Sequence, residues 1–210
     1  MVGACAGGAL MNAGDRPFSA SDIAVVDNFV PTELAGALEK LMRRPIWRYG
    51  WKSNAQRDRL AYWHAHFAGG DSKSRRDCEA DLSKKARYAP VQALWRRLAE
   101  GPLRGHAPLR VYANAHTYGV EGSIHRDSSD RDNYYTTVYY AHPVWNSGWG
   151  GEIVFYNDDL SEIAASILPK PGRLVTFFGA LPHCVRPPGR ECTALRVSLV
   201  IKTQREPYGV

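Results

Sequence analysis

Residues 133–142, NYYTTVYYAH, lie at the centre of the region that decides the fold of this chain. Similar short runs rich in β-branched and aromatic residues flank this segment, and turn-rich segments such as 157–159 and 169–172 separate them. Such runs are typical of antiparallel strands, and together they predict a β-sandwich or barrel. The other runs are PLRVYANAHT (108–117), GSIH (122–125), GGEIVFYN (150–157), IAASIL (163–168), RLVTFF (173–178) and TALRVSLVIKT (193–203).

The residues before this region show helical periodicity. Leu34, Leu38 and Leu41 recur at helical spacing after a proline, and a second amphipathic pattern covers roughly residues 79–100. We expect this second helix to break before Pro90, because the residue that precedes a proline disfavours the helical conformation.

Two further strands are predicted at residues 23–30 and 46–53. Residues 54–78 have no clear period, so we expect a long loop or lid there. The fold class that we predict is mainly β with α support. It is a double-stranded β-helix (jelly-roll, cupin-like) core with N-terminal helices packed on one sheet.

The composition of the 210-residue chain, 44% apolar, fits one compact domain. We assign residues 18–210 to this domain, with the β core at about 108–203, and expect residues 1–17 to form a flexible tail. No apolar run approaches the roughly 18 residues that span a bilayer, and the N-terminus has no positively charged segment typical of a signal peptide. The four cysteines form no C-x-x-C pair, so a reducing cytoplasm is the expected location.

The net charge of +6 is unevenly distributed. Residues 39–110 contain 17 Lys/Arg against 7 Asp/Glu, whereas the remainder contains 10 against 14. A basic segment of this kind attracts anionic substrates or nucleic acid, although a solvated surface is the simpler interpretation. No DNA- or RNA-binding motif accompanies it, so we do not expect a nucleic-acid partner.

His125-Arg126-Asp127 is the first motif with a chemical meaning. On an extended segment the imidazole of His125 and the carboxylate of Asp127 project from the same face. A nitrogen ligand from a distant strand would complete a 2-His-1-carboxylate site, and His183, just after RLVTFF, is the candidate. The other histidines fit less well, since they fall in the predicted loop, at a strand end or at the surface: His64, His66, His106 and His142.

Several of these features occur in an order that resembles a known family. H-x-D is followed by an aromatic-rich strand, by W-G-G-E at 149–152, by P-x-P-G-R-L-V-x-F at 169–177, by His183 and by R-x-S at 196–198. In this combination the chain resembles the 2-oxoglutarate/Fe(II)-dependent oxygenases, in particular their prolyl-4-hydroxylase-like branch. The resemblance covers residues 111–202, and the strand and helix at 23–44 are similar as well.

The resemblance implies that His125, Asp127 and His183 are the iron ligands. It also implies that Arg196 pairs with the distal carboxylate of 2-oxoglutarate and that Ser198 is its hydroxyl partner. Side chains alternate along a strand, so Arg196 and Ser198 leave the same face of TALRVSLVIKT.

Two departures from the family pattern leave alternatives open. The interval between the second histidine and Arg196 is longer than is common in this branch, so Arg190 in the intervening turn is a competing anchor. A position that is often tyrosine in related enzymes is His116 here. Asn114, His116 and Tyr118 are candidates to hydrogen-bond the co-substrate, with ordinary strand positions as the alternative.

The resemblance further implies Fe(II), 2-oxoglutarate as co-substrate and O2, with ascorbate as a supporting reductant and succinate and CO2 as products. Related halogenases lack the carboxylate ligand, so Asp127 argues for hydroxylation, demethylation or desaturation.

We expect the substrate to be a free amino acid or small metabolite, with a peptidyl-prolyl substrate second. A nucleic-acid or protein demethylase is a rival within the superfamily, and a cupin-like metal-binding protein is the rival outside enzymology. Residues around the expected pocket mouth are candidate substrate contacts, although aromatic clusters more often pack a core. The principal candidates are Arg126, Tyr134, Trp145 and Trp63.

Overall fold

The computed structural model describes residues 18, 20–71 and 74–205. The expected flexible tail, residues 1–17, lies outside the described part of the chain. The helices are α1 (Thr32–Met42), α2 (Glu79–Ser83) and α3 (Ala89–Glu100). The strands are β1 (Ile23–Val26), β2 (Arg48–Trp51), β3 (Tyr62–Gly69), β4 (His106–His116), β5 (Tyr134–Tyr140), β6 (Ile153–Tyr156), β7 (Ile163–Ile167), β8 (Leu174–Phe178), β9 (His183–Val185) and β10 (Arg196–Arg205).

The strands form two antiparallel sheets that face each other. The larger sheet has the order β1-β8-β5-β10-β4-β3-β2, and the smaller has the order β7-β6-β9. An isolated bridge between His125 and His183 extends the smaller sheet beside β9. This pair of sheets with helices on one side confirms the predicted jelly-roll fold class.

Alternation along β4 and β10 separates the two faces of the larger sheet. Odd-numbered residues such as Val111 and Leu199 pack against α1 and α3, where Leu38 and Trp95 belong to the same core cluster. Even-numbered residues face the space between the sheets, where Tyr112 packs with residues of the smaller sheet. Burial of one face under the helices fixes the register of β4 and β10, since a slip by one residue would exchange the two sets of side chains.

The predicted loop at residues 54–78 is wrong over part of its length, because β3 occupies Tyr62–Gly69. Its sequence, YWHAHFAG, lacks clean alternation of polar and apolar residues. The strand is decided by long-range pairing with β4, which buries Phe67 and Ala68 completely or almost completely. The predicted helix at 79–100 is broken before Pro90, which lies in the first turn of α3.

In the part of the chain that the structure describes, no helix has the length and apolar character needed to cross a membrane.

Candidate active site

Three side chains from two segments converge between the sheets. The imidazole Nε2 of His125 lies 3.6 Å from Asp127 Oδ1, and Nε2 of His183 lies 3.4 Å from Asp127 Oδ2. The three potential ligand atoms all lie within 4.8 Å of one another. Among the described residues this is the one such group of three or more His, Cys, Asp or Glu side chains. Two nitrogens and one carboxylate in this arrangement suit a divalent metal such as Fe(II) and leave coordination positions open.

Backbone hydrogen bonds orient the two imidazoles. Nδ1 of His125 donates to the carbonyl of Ser123 at 2.8 Å, and Nδ1 of His183 donates to the carbonyl of Leu181 at 2.8 Å. Each ring therefore keeps its proton on Nδ1 and points the lone pair of Nε2 at the cluster. Burial lowers the pKa of His183 to about 3, so this ring is neutral at physiological pH.

Asp127 is held as a carboxylate. Burial opposes its ionisation, but the ammonium group of Lys202 and the two histidines hold the pKa of Asp127 well below its ordinary value. Lys202 Nζ contacts Oδ2 directly, and the hydroxyl of Thr136 donates to the same oxygen at 2.7 Å. The backbone N–H of Asp127 donates to the carbonyl of Gly179 at 2.7 Å. Lys202 belongs to no recognisable sequence motif, although it leaves the same face of the strand as Arg196.

A buried guanidinium lies on the same wall of the cavity. Arg196 is 1% exposed, and it donates through Nε to Gly151 O at 2.7 Å and through Nη2 to Tyr140 Oη at 3.3 Å. Its Nη1 has no partner. His116, which pairs with Arg196 across β4 and β10, has an unpartnered Nδ1 as well. Burial and the neighbouring Arg196 lower the pKa of His116 to about 3, so its ring is neutral.

These two orphaned atoms fit a missing carboxylate. A buried guanidinium without a counter-charge is costly, and a bidentate carboxylate is the partner that its geometry matches. Only one other buried side-chain polar atom among the described residues lacks a partner, Trp95 Nε1 under the helices. The residues present therefore fit a dicarboxylate such as 2-oxoglutarate, with one end at Arg196 and the other toward the His-Asp-His cluster.

The cluster and Arg196 open into one cavity of about 1160 Å³. Asn114, His116 and Ser198, which were predicted to contact the co-substrate, line this cavity. Asn114 Oδ1 is bound by His64 Nδ1 at 2.8 Å, and Ser198 Oγ donates to the carbonyl of Asn114 at 3.5 Å. His64 lies on β3, not on a mobile loop, and it was missed because β3 was missed.

Other predicted site residues lie outside the cavity. Tyr118 is 57% exposed and does not line it, because it follows the end of β4. Trp63 is 41% exposed and packs against Tyr49 at 5.2 Å, since the alternation of β3 turns it to the opposite face from His64. Arg190, the competing anchor, is exposed in its turn and does not line the cavity either.

Trp145, also predicted as a substrate contact, does not line the cavity. Its ring packs on His142 at 4.7 Å, and its Nε1 donates to the carbonyl of Gly150 at 3.0 Å. It lies behind Arg196, where a Cβ on Gly151 would approach both side chains. Trp145 therefore supports the guanidinium from outside the cavity.

Arg126 and Tyr134 do line the cavity. The guanidinium of Arg126 is engaged, however, by Asp158 at 3.2 Å and by the carbonyl of Ala180 at 2.5 Å. Tyr134 is 4% exposed and packs against Gly179 beside the Asp127 segment. Of the four predicted substrate contacts, Tyr134 keeps a position facing the interior.

Comparison with known proteins adds independent information. Residues 112–201 match the family described as the 2OG-Fe(II) oxygenase superfamily. No curated protein is similar enough to count as a match.

Solved structures share the fold over most of the chain. A prolyl-4-hydroxylase from Pseudomonas putida is 22% identical with a TM-score of 0.60, covering 89% of this chain and 94% of that one. A prolyl hydroxylase from Trichoplax adhaerens, in complex with a peptide fragment of the hypoxia-inducible-factor oxygen degradation domain, is 21% identical with a TM-score of 0.58, covering 89% and 84%. An oxidoreductase of the 2OG-Fe(II) oxygenase family from Burkholderia pseudomallei is 16% identical with a TM-score of 0.65, covering 89% and 87%.

The fold is thus that of prolyl-4-hydroxylase-like proteins, and the family match spans Arg196 and most of the cavity-lining strands. The cluster of two histidines and an aspartate matches the donor set expected for a metal in such a fold. Residues 112–201 therefore match the 2OG-Fe(II) oxygenase superfamily, and together with the His-Asp-His cluster this match supports a non-haem iron dioxygenase that uses Fe(II), 2-oxoglutarate and O2.

Proposed function

We propose that this dioxygenase hydroxylates an unactivated C–H bond of a small molecule, with release of succinate and CO2. His125, Asp127 and His183 hold the Fe(II), and Arg196 holds the distal carboxylate of 2-oxoglutarate. The observation that carries the proposal is the pairing of a convergent His-Asp-His cluster with an unpartnered guanidinium nitrogen in one cavity.

The protein's own groups prepare the site before any reaction. The carbonyls of Ser123 and Leu181 keep both Nε2 lone pairs directed at the metal position. Neutral His116 and the hydroxyl of Ser198 stand beside Arg196 and offer hydrogen-bonding partners without adding a competing charge. Because donors are already placed, co-substrate binding requires little reorganisation.

Apolar side chains line the inner part of the cavity. Val138, Phe177 and Val200 line it between Arg196 and the cluster. Exclusion of water strengthens the electrostatic hold on the co-substrate and protects reactive species from side reactions. When bound, the iron with 2-oxoglutarate and O2 supplies the oxidising chemistry, and the chain supplies orientation and a shaped pocket.

The first test is the formation of succinate from 2-oxoglutarate by the purified protein with Fe(II) and ascorbate. We expect Asp127→Ala to abolish it and to lower the bound iron measured by elemental analysis, because two imidazoles alone form a weak site. Asp132→Ala, which alters an exposed aspartate in the following loop, is the matched control and should retain both. Full succinate formation and iron content in Asp127→Ala would refute the ligand assignment.

The second test identifies the substrate. Cell extract is treated with the wild-type protein or with His183→Ala, and the two samples are compared by mass spectrometry. A small molecule that gains one oxygen only with the wild-type protein supports the proposal. A modified peptide and no modified small molecule would instead favour the second candidate function.

That second candidate is peptidyl-prolyl hydroxylation. The observation in its favour is the fold shared with the Trichoplax adhaerens prolyl hydroxylase, whose structure contains a peptide fragment. We prefer a small molecule because three basic groups of the cavity, Arg110, Lys202 and Arg196, are buried inside it. We further propose a cytoplasmic location, since the scattered cysteines predict no disulfide framework.

A further inference from the structure

A second cation without a counter-charge lies at the opposite end of the cavity from Arg196. Arg110 is 9% exposed and faces the cavity from β4. Its guanidinium carbon lies 4.4 Å from the ring centre of Tyr112 and 5.1 Å from that of Trp51. Within residues 20–71 and 74–205, no hydrogen bond or ion pair holds this guanidinium.

The aromatic rings determine how Arg110 can act. Arginine stacks on aromatic faces through its planar guanidinium, and its N–H groups then point outward along the edge. Trp51 is itself fixed, because its ring stacks on the ring of His64 at 4.2 Å and 12°. The stack therefore presents an unused row of donors to the cavity.

Arg110 lies next to the proposed metal site but away from the proposed co-substrate anchor. It pairs with Lys202 across β4 and β10, and the ammonium group of Lys202 contacts Asp127. Arg110 and His116 are six positions apart on one strand, which corresponds to about 20 Å. The His-Asp-His cluster thus stands between two cationic ends, and only the Arg196 end is needed for 2-oxoglutarate.

The surroundings of Arg110 reinforce its charge. Arg48, Lys52 and Arg87 line the outer part of the same cavity, whereas Asp71 is the acidic residue there. All five residues belong to the basic segment recognised in the sequence, so part of that charge faces the cavity and not bulk solvent.

We propose that Arg110 binds a carboxylate of the substrate, which makes the substrate a small carboxylic acid of the free amino-acid type. This inference rests on the proposed function only in assigning the bound acid to the hydroxylation reaction. A carboxylate is favoured over a phosphate because one guanidinium fork matches one carboxylate, and the nearest further cation, Lys202, is already paired with Asp127.

The test measures binding without turnover. Wild-type protein loaded with Fe(II) and 2-oxoglutarate under anaerobic conditions is titrated calorimetrically with the twenty amino acids and their N-acetyl derivatives. The carboxamides of both sets and inorganic phosphate are titrated in the same way. We expect at least one acid to bind ten times or more tightly than its amide, as a charge-assisted hydrogen-bond pair requires.

Substitutions test whether Arg110 causes the preference for an acid over its amide. Arg110→Gln should remove it, and Arg110→Lys should restore it in part, whereas Arg104→Gln should leave it unchanged. Arg104 is exposed in the turn after α3, where it donates to the carbonyl of Glu100, and it does not line the cavity, so it controls for the lost charge. Circular dichroism of each variant establishes that it is folded.

The inference is overturned if no acid binds more tightly than its amide, if the preference persists in folded Arg110→Gln, or if phosphate binds more tightly than every acid. The first and third results use wild-type protein alone and do not depend on how a variant folds. If the protein forms no succinate but still binds an acid more tightly than its amide, the proposed function is refuted and the carboxylate site remains supported. Succinate formation without any preference for acids over amides would refute the carboxylate site but leave the proposed function standing.

Discussion

Substitution of Arg196 should affect the stability of the protein and its response to 2-oxoglutarate in different ways. Removal of a well-paired buried charge partner ordinarily costs about 3–5 kcal/mol of stability. Arg196 differs because its Nη1 is unpartnered and only Gly151 and Tyr140 accept hydrogen bonds from it. Loss of these two bonds costs about 1–3 kcal/mol, and removal of a desolvated cation recovers several kcal/mol. Without 2-oxoglutarate, Arg196→Met should therefore be at least about as stable as the wild type.

The two proteins should differ in how much 2-oxoglutarate stabilises them. In the presence of Mn(II), co-substrate at about 100 times its dissociation constant stabilises the wild type by about 2.7 kcal/mol. For a domain of this size that corresponds to a rise in Tm of about 5–11 °C. Loss of a buried charge pair with the ligand costs at least about 2 kcal/mol, a roughly thirtyfold weaker affinity. At the same concentration Arg196→Met should then gain only about 0.9 kcal/mol, or about 2–4 °C.

Differential scanning fluorimetry with and without 2-oxoglutarate measures both quantities. Arg190→Met is the control, because Arg190 is exposed in the neighbouring turn and should leave the full rise in Tm intact. A strongly destabilised Arg196→Met that still responds like the wild type would refute the argument. A response lost in Arg190→Met instead would move the anchor to that turn.

Three further substitutions probe the supports of the site. Gly151→Ala should lower the free energy of unfolding by about 1–3 kcal/mol in denaturant and weaken 2-oxoglutarate binding, because φ is +76° and the new Cβ would lie 2.8 Å from the ring of Trp145. Gly36→Ala is the control, since it lies in an open helix position and should be neutral or slightly stabilising. Burial lowers the pKa of His142 to about 4. The unfolded chain therefore takes up the proton first, and the free energy of unfolding should fall by about 1–3 kcal/mol from about pH 6.5 to about pH 4, a slope that His142→Gln should reduce. Asp58→Asn should weaken iron binding by a few-fold in a metal titration. The reason is that this carboxylate accepts a hydrogen bond from the Ser123 N–H at 3.0 Å and so fixes the segment that orients His125. Unchanged iron binding would contradict this role.

Local patterns in the sequence were sufficient for the fold class and for the three side chains of the His-Asp-His cluster. The two ligands of H-x-D share a face because side chains alternate, and Arg196 and Ser198 share a face for the same reason. These relations hold over two residues of extended chain and need no knowledge of the partner strands. The combination of such motifs in one order then indicated the superfamily.

Residues whose role depends on a distant strand were not predictable in this way. β3 was mistaken for a loop because YWHAHFAG is apolar or aromatic on both faces, and its pairing with β4 is what makes it a strand. With β3 missing, the inward position of His64 and the outward position of Trp63 could not be assigned. Lys202 and Arg110 carried no motif, and their importance appears only when β10 and β4 bring them side by side.

By itself, then, the sequence determined which side chains share a strand face, because the two-residue period of an extended chain is local and rigid. Only the tertiary structure decided which faces meet, which cations remain without a counter-charge and where the cavity opens. Those properties arise from strand register and from burial between sheets, which join residues far apart in the chain and leave no short-range signature.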